Sequence, residues 1–333
     1  MQTQKELEAR FHDDIDCIAK DFITAYGLKY GEETENLSDP LLRWQDFVTR
    51  YIKLCPRKIF ASNKFPMTLD NEVEKALHHL ETLILSGEDL NPYQSKGLIF
   101  HNDTSGSRRQ LRTDLLWADW GIHHLHLTTT PIEFRKYFSE RSKWLLFCIV
   151  GDDFFGLIDI REHDEPELFS DPGLIKTVAE SWPEFMHKYQ LNGALPSRNA
   201  YSAVDVATLR KGGISTPVII GNRIYVGPGM GVTSASTSGR VTMAMVHIRR
   251  YIGELVKIVH DPASQFKTES AKSGITDPEY VISLTPQGLA VYEEHENKAF
   301  VFPRVTRVGS KSIFTELHDL IAPEWAIDFV MKK

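Results

Sequence analysis

At 333 residues, with 42% hydrophobic side chains, the chain carries enough apolar material for two or three folding units of about 100–200 residues each, which excludes a single small module. Its 45 acidic against 38 basic residues leave a formal charge of -7, so no global basic field draws nucleic acid in, and any RNA contact must use a local patch. No window approaches the roughly 18 apolar residues of a membrane span, no export signal is legible, and three scattered cysteines (Cys17, Cys55, Cys148) suit reduced thiols; the expectation is a cytoplasmic protein with no membrane partner.

In chain order, the first ~95 residues read as helical. Leu7, Phe11, Ile15, Ile18, Phe22 and Ala25 recur every three or four positions, and Gly27 follows as a stop. A second stripe runs from Leu42 through Trp44, Phe47 and Tyr51 to Leu54, closed by Pro56. A third helix is capped by Thr68 or Asp70, shows Val73, Ala76, Leu77, Leu80, Leu83 and Ile84 on one face, and ends at Gly87; His78 and His79 lie on it as side chains pointing in different directions.

After the turn residues Asp89 to Ser95, the polar run Asn102 to Arg112 leads into strands. "GIHHLHLT" alternates, and "KWLLFCIV" and "FFGLIDIRE" are apolar runs joined by Gly151-Asp152-Asp153, a loop of hairpin size. A helix from Ser170 or Asp171 to the Pro183 region follows, then a hairpin around Gly221-Asn222, a Gly/Ser/Thr loop, a long amphipathic helix over "RVTMAMVHIRRYIGELVKIV", and two or three further strands. The expected fold is α+β: a helical N-terminal region over 1–95, a central antiparallel sheet over 96–192, and a mixed C-terminal region over 193–333.

Three of the 13 histidines fall within "DWGIHHLHL". Strand alternation puts His124 and His126 on one face with Ile122, and His123 on the other with Leu125 and Leu127. In the later hairpin, Leu157, Asp159, Arg161 and His163 share a face, with Ile158 and Ile160 opposite. If that strand pairs near the histidine strand with its polar face matched, His124, His126, Asp159, Arg161 and His163 form one cluster. Three readings of it stay open. The histidines can serve as acid and base, with Arg161 stabilising an anion and Asp159 orienting a ring, a toolkit for phosphodiester cleavage without a cofactor. His124, His126, Asp159 and His163 can instead hold a divalent metal such as Zn, Mn or Fe. The cluster can also be the ordinary polar face of a half-solvated strand.

The segments "GEDLNPYQSK", "DLLWADWGIHHLHL", "LLFCIVGDDFFGLIDIREH" and "SWPE" resemble, in that order, a group of uncharacterised bacterial proteins over about residues 86–190. Separately, "RSKWLLFCIVGDDFFGLIDIREHD" is similar to the closing hairpin of the RelE/HigB class of bacterial messenger-RNA-cleaving toxins, where an arginine precedes an apolar strand and a second strand ends in basic or histidine residues. That resemblance implies RNA contact or acid–base roles for Arg141, Arg161 and His163.

Two loops are further candidates. Arg108, Arg109 and Arg112 can contact phosphates as a flexible arm, although a solvated loop explains them as well. "YVGPGMGVTSASTSG" offers amides for phosphate but matches neither the dinucleotide nor the P-loop pattern, and Ser236 or Ser238 as a helix cap accounts for most of it. No serine-hydrolase elbow, His-Glu-x-x-His or paired Cys-x-x-Cys occurs. The working expectation is a toxin-like endoribonuclease of a toxin–antitoxin or phage-defence system with an RNA substrate and a protein partner or antitoxin. A metal-dependent hydrolase and a non-enzymatic interaction protein are the alternatives.

Overall fold

A computed structural model describes residues 3–31, 39–100, 113–133, 136–196, 201–234, 237–295, 297–302 and 312–331. The fold is α+β, as the pattern of elements predicts. The chain divides into two compact units, Met1–Gln45 with Val241–Lys333, and Asp46–Arg240. These units do not coincide with the three sequence spans, because the helical start joins the chain's last third and the sheet draws in residues from the first.

Helix α1 (Gln4–Ala25) opens with a capping box in which Thr3 and Glu6 satisfy each other's backbone N–H groups, and it buries Leu7, Phe11, Ile15, Ile18 and Phe22, the stripe seen in the sequence. It stops where expected: Leu28 N–H returns to the Ile23 carbonyl while Gly27 takes φ +62°. Helix α2 (Pro40–Arg50) ends four residues short of the expected stripe, so Leu54 is exposed.

The span 1–95 is not wholly helical. Strand β1 (Lys58–Ala61) lies within it and pairs in parallel with a strand a hundred residues on. Helix α3 (Asn71–Ser86) follows, closed by Gly87 at φ +75°; a Cβ there would lie 2.5 Å from the Pro56 nitrogen, so chain crossing and backbone conformation both demand glycine. Helix α4 (Leu115–Trp120) is one short stretch with Asp114 as its N-cap. Strands β2 (His123–His126), β3 (Trp144–Val150) and β4 (Phe154–Glu162) complete a sheet ordered β1-β4-β3-β2, antiparallel except at β1.

The histidine strand therefore does not lie beside β4, because β3 runs between them. The register nevertheless aligns their polar faces: His124 opposes Phe147, which opposes Asp159, and His126 opposes Leu145, which opposes Arg161. A bulge between Phe147 and Cys148 breaks strict alternation along β4. Ile158 consequently packs on the histidine side with Leu145, Phe147 and Ile149, while Leu157 joins Cys148, Leu146 and Ile160 against α3. Both assignments reverse the strict alternation, which does hold for Asp159 and Arg161.

The apolar part of the histidine side is covered by helix α5 (Pro172–Ser181), capped by Asp171, then α6 (Pro183–His187) and α7 (Ala203–Lys211). The hairpin β5 (Val218–Ile220) and β6 (Arg223–Tyr225) turns at Gly221 as predicted. From α7, the buried Arg210 forms a 2.8 Å ion pair with the buried Asp119, stacks 3.9 Å from the Trp120 ring centre and donates to the Phe169 carbonyl. Burial pulls Asp119 up and Arg210 down, and their mutual attraction opposes both shifts.

The Gly/Ser/Thr loop after β6 packs on α4. A Cβ on Gly229 would lie 2.2 Å from the Trp117 carbonyl oxygen, and one on Gly227 2.2 Å from that of Asp119. Ser238 Oγ donates to the Gly229 carbonyl and accepts from Arg240 N–H, a turn that starts a helix. Close backbone approach thus accounts for these glycines. Ser236 lies outside the described residues.

Helix α8 (Gly239–His260) buries Ile248, Ile252, Leu255 and Val259 along one face. Helix α9 (Gln265–Lys272) and an antiparallel meander of β7 (Tyr280–Thr285), β8 (Gly288–Glu293) and β9 (Lys298–Val301) follow. Helices α10 (Ile313–Ile321) and α11 (Glu324–Met331) end the chain; Trp44 stacks on Phe22 at 4.6 Å and donates to the Ile321 carbonyl. No helix among the described residues is long and apolar enough to cross a membrane.

Candidate functional site

At one end of the histidine side, Gln94, Ser95, Lys96, His124, His126, Ser139, Arg141 and His163 line a cavity of about 440 Å³. Four structural pieces supply them. Gln94 to Lys96 come from short 3-10 turns, Ser139 and Arg141 from the β2–β3 connection, and His163 from just beyond β4, where its N–H pairs with the Lys143 carbonyl.

His124 is held from below. The Asp114 carboxylate caps α4 with Oδ1, accepting from Leu116 and Trp117 N–H, and places Oδ2 3.1 Å from His124 Nδ1. Burial works against the Asp114 charge, but His124, Arg50 and the helix amides outweigh it and hold the carboxyl well below the usual range. The contact is close but not aligned as a hydrogen bond; a proton on Nδ1 facing the carboxylate would leave Nε2 as the basic nitrogen. His124 is 10% exposed and Asp114 14%, so the pair is held mostly out of solvent.

His126 has the opposite tautomer. Its Nδ1 accepts the Ser142 N–H at 3.2 Å, which puts a proton on Nε2. Burial, helped by neighbouring His124, His163 and Arg141, pushes its pKa down to about 4, so the ring is neutral at physiological pH. The His126 and His163 rings stack 6.1 Å apart, and His124 and His126 are 6.5 Å apart. Arg141 Nη2 lies 2.9 Å from His163 Nδ1, and Phe169 meets both His124 and His163 edge-on. His123 faces the other way: its ring is buried, lies 3.4 Å from Gln94 Oε1, and has its pKa pushed down to about 3, chiefly by burial.

The structure thus brings His124, His126, His163 and Arg141 to one cavity and leaves Asp159 and Arg161 outside its lining. Arg161 sits among carboxylates, bonded to Glu165 and within 3.6 Å of Asp159 and 3.4 Å of Asp171. Those partners hold it charged, and burial raises Asp159. Arg108, Arg109 and Arg112 lie outside the described residues. Among the described residues, no group of three or more His, Cys, Asp or Glu side chains is placed to hold a metal ion, so His124, His126, Asp159 and His163 do not form a ready ligand set.

Sequence reasoning missed Asp114, Lys96, Gln94 and Ser139. Only Asp114 left a usable signal, an aspartate directly before the apolar run "LLWADW", the signature of a helix cap. Compared with protein-family models, curated proteins and solved structures, the chain matches none.

Proposed function

We propose that the chain cleaves RNA by acid–base chemistry carried by its own side chains, as a toxin-like endoribonuclease of a bacterial toxin–antitoxin or phage-defence system. The observation that carries this reading is the convergence of three imidazoles and two cations, His124, His126, His163, Lys96 and Arg141, on one cavity, with one imidazole backed by a half-buried carboxylate. A 2′-hydroxyl attacks the adjacent phosphorus while His124 Nε2 takes its proton, Asp114 stabilising the ring that becomes charged. The bond to the 5′-oxygen breaks, and that oxygen receives a proton from the imidazolium form of His163, which requires Arg141 to leave the ring for the phosphate; the products are a 2′,3′-cyclic phosphate and a 5′-hydroxyl. The neutral Nε2–H of His126, with Lys96 and Arg141, donates to the phosphoryl oxygens as negative charge builds. Arg141 takes the anion-stabilising role, because Arg161 is committed to its three carboxylates.

The test is incubation of the purified protein with single-stranded RNA in the presence of a chelator, with the product ends identified. Cyclic-phosphate ends, and a loss of about a hundredfold or more in folded His124→Ala and His126→Ala proteins, are expected. Intact RNA, or an unchanged rate in both variants, would sink the proposal.

A further inference from the structure

The histidine cavity has an aromatic border. Lys96 lines the cavity, and one turn on, Phe100 donates its backbone N–H to the Lys96 carbonyl at 2.9 Å and leaves 48% of its surface in solvent. The β2–β3 connection repeats the arrangement: Arg141 lines the cavity, and Tyr137, one short step earlier in the same connection, is 39% exposed. The two segments are tied together. Ser139 N–H donates to the Pro92 carbonyl at 2.9 Å, and the buried Phe138 ring lies 5.8 Å from Phe100 and 5.0 Å from Tyr137, edge-on to the latter. Three rings thus make one ridge, anchored by Phe138 and with its outer members in water.

Exposed rings scattered singly need no explanation. These are contiguous, and they stand beside cations with little else to hold. Lys96 forms no ion pair among the described residues, and the only carboxylate that Arg141 meets among them is the exposed Asp164, at 3.9 Å. Such a surface pair contributes little and yields to a phosphate. The Tyr137 hydroxyl donates at 3.4 Å to Asp89, a carboxylate already engaged by the Asn91 backbone and side-chain amides, so this ring is tethered at its far end. Unpaired nucleotides present a π-face on every base and a charge on every phosphate, and rings set beside cations answer both at any sequence. In a duplex the base faces are hidden in the stack, and the ridge has nothing to grip.

We propose that Phe100 and Tyr137 form a stacking ridge for the unpaired bases flanking the scissile phosphate, with Lys96 and Arg141 holding the adjoining phosphates, so that the site selects single-stranded RNA over duplex. The inference rests on the ribonuclease reading and names its substrate class.

The probe is a short fluorescent single strand of 2′-O-methyl RNA, which lacks the attacking hydroxyl, so anisotropy reports binding by the full chain apart from cleavage. A Kd on the order of 10 μM is expected in low salt. Phe100→Leu and Tyr137→Leu keep apolar contact with Phe138 but lose the stacking face; each should weaken binding about fivefold or more, with an unchanged melting temperature. Phe100→Trp, with a larger face, should bind at least as tightly as the parent, and the annealed duplex should bind about tenfold more weakly than the single strand. No saturable binding up to about ten times the expected Kd, parental affinity in both leucine variants, or duplex bound as tightly as single strand would overturn the proposal. Unmodified RNA separates the two readings. Ridge-dependent binding without cleavage removes the nuclease alone, whereas cleavage indifferent to both leucine variants removes the ridge alone.

Discussion

Acidification should loosen the central sheet through two imidazoles. His123 and His126 have folded-state pKa values pushed down to about 3 and about 4 from an ordinary 6.5, in both cases chiefly by burial. The sign follows from proton counting. Below the ordinary value the unfolded chain takes up a proton that the folded ring refuses, so stability is complete above about pH 7 and falls as pH drops towards the folded values. Between pH of about 7.5 and about 5 the loss is about 2 kcal/mol for His123. His126 opens onto the cavity, and solvent screening reduces its share to about 1 kcal/mol. Asp114, whose carboxyl is held low, adds nothing in this window, because its contribution disappears only under more acid conditions. The assay is native-state hydrogen exchange of the β3 amides, corrected for intrinsic rates, at the two pH values. The expected opening free energy falls by about 3 kcal/mol in the parent and by about a third less in His126→Asn. Unchanged protection of β3 on acidification, or an undiminished loss in a His123→Gln, His126→Asn double variant, would refute the reasoning.

Asp114→Asn keeps the helix cap but removes the charge beside His124, so RNA cleavage should fall about 10²- to 10⁴-fold with little change in melting temperature, whereas Asp114→Ala should also lose about 1 kcal/mol in denaturant titration. Arg210→Gln leaves Asp119 buried and uncompensated and should cost about 3–5 kcal/mol, read as a shift in the urea midpoint. Gly229→Ala forces a methyl into the Trp117 carbonyl and should lower thermal stability markedly, while the same change at Gly193, where an added Cβ would meet no atom of the described residues within 4 Å beyond its chain neighbours, should be limited to the strain of its φ of +80°.

Periodicity exposed what is periodic. The α1 and α3 stripes, the glycine stops and the β3–β4 and β5–β6 hairpins were legible because each rests on contacts a few residues apart. Strand β1 was not, since its four residues are mostly exposed and its partner lies a hundred positions away. Alternation told which faces His124, His126 and Arg161 occupy, but it could not place β3 between them, nor reveal that a bulge exchanges Leu157 and Ile158. At the site, the three histidines could be found by residue type and phase, whereas Arg141 was pointed to only by the resemblance to the toxin hairpin. Lys96 and Gln94 come from a turn whose sequence advertises only turn chemistry, and long-range packing alone brings them there.

Asp114 has one oxygen on the first turn of α4 and the other against an imidazole. Backbone and ring are thereby geared to a single carboxylate, and neither can be released without slackening the other. The amides of Leu116 and Trp117 become a built-in gauge for His124: their exchange should quicken whenever that carboxylate lets go, so the readiness of a side chain can be followed from the main chain.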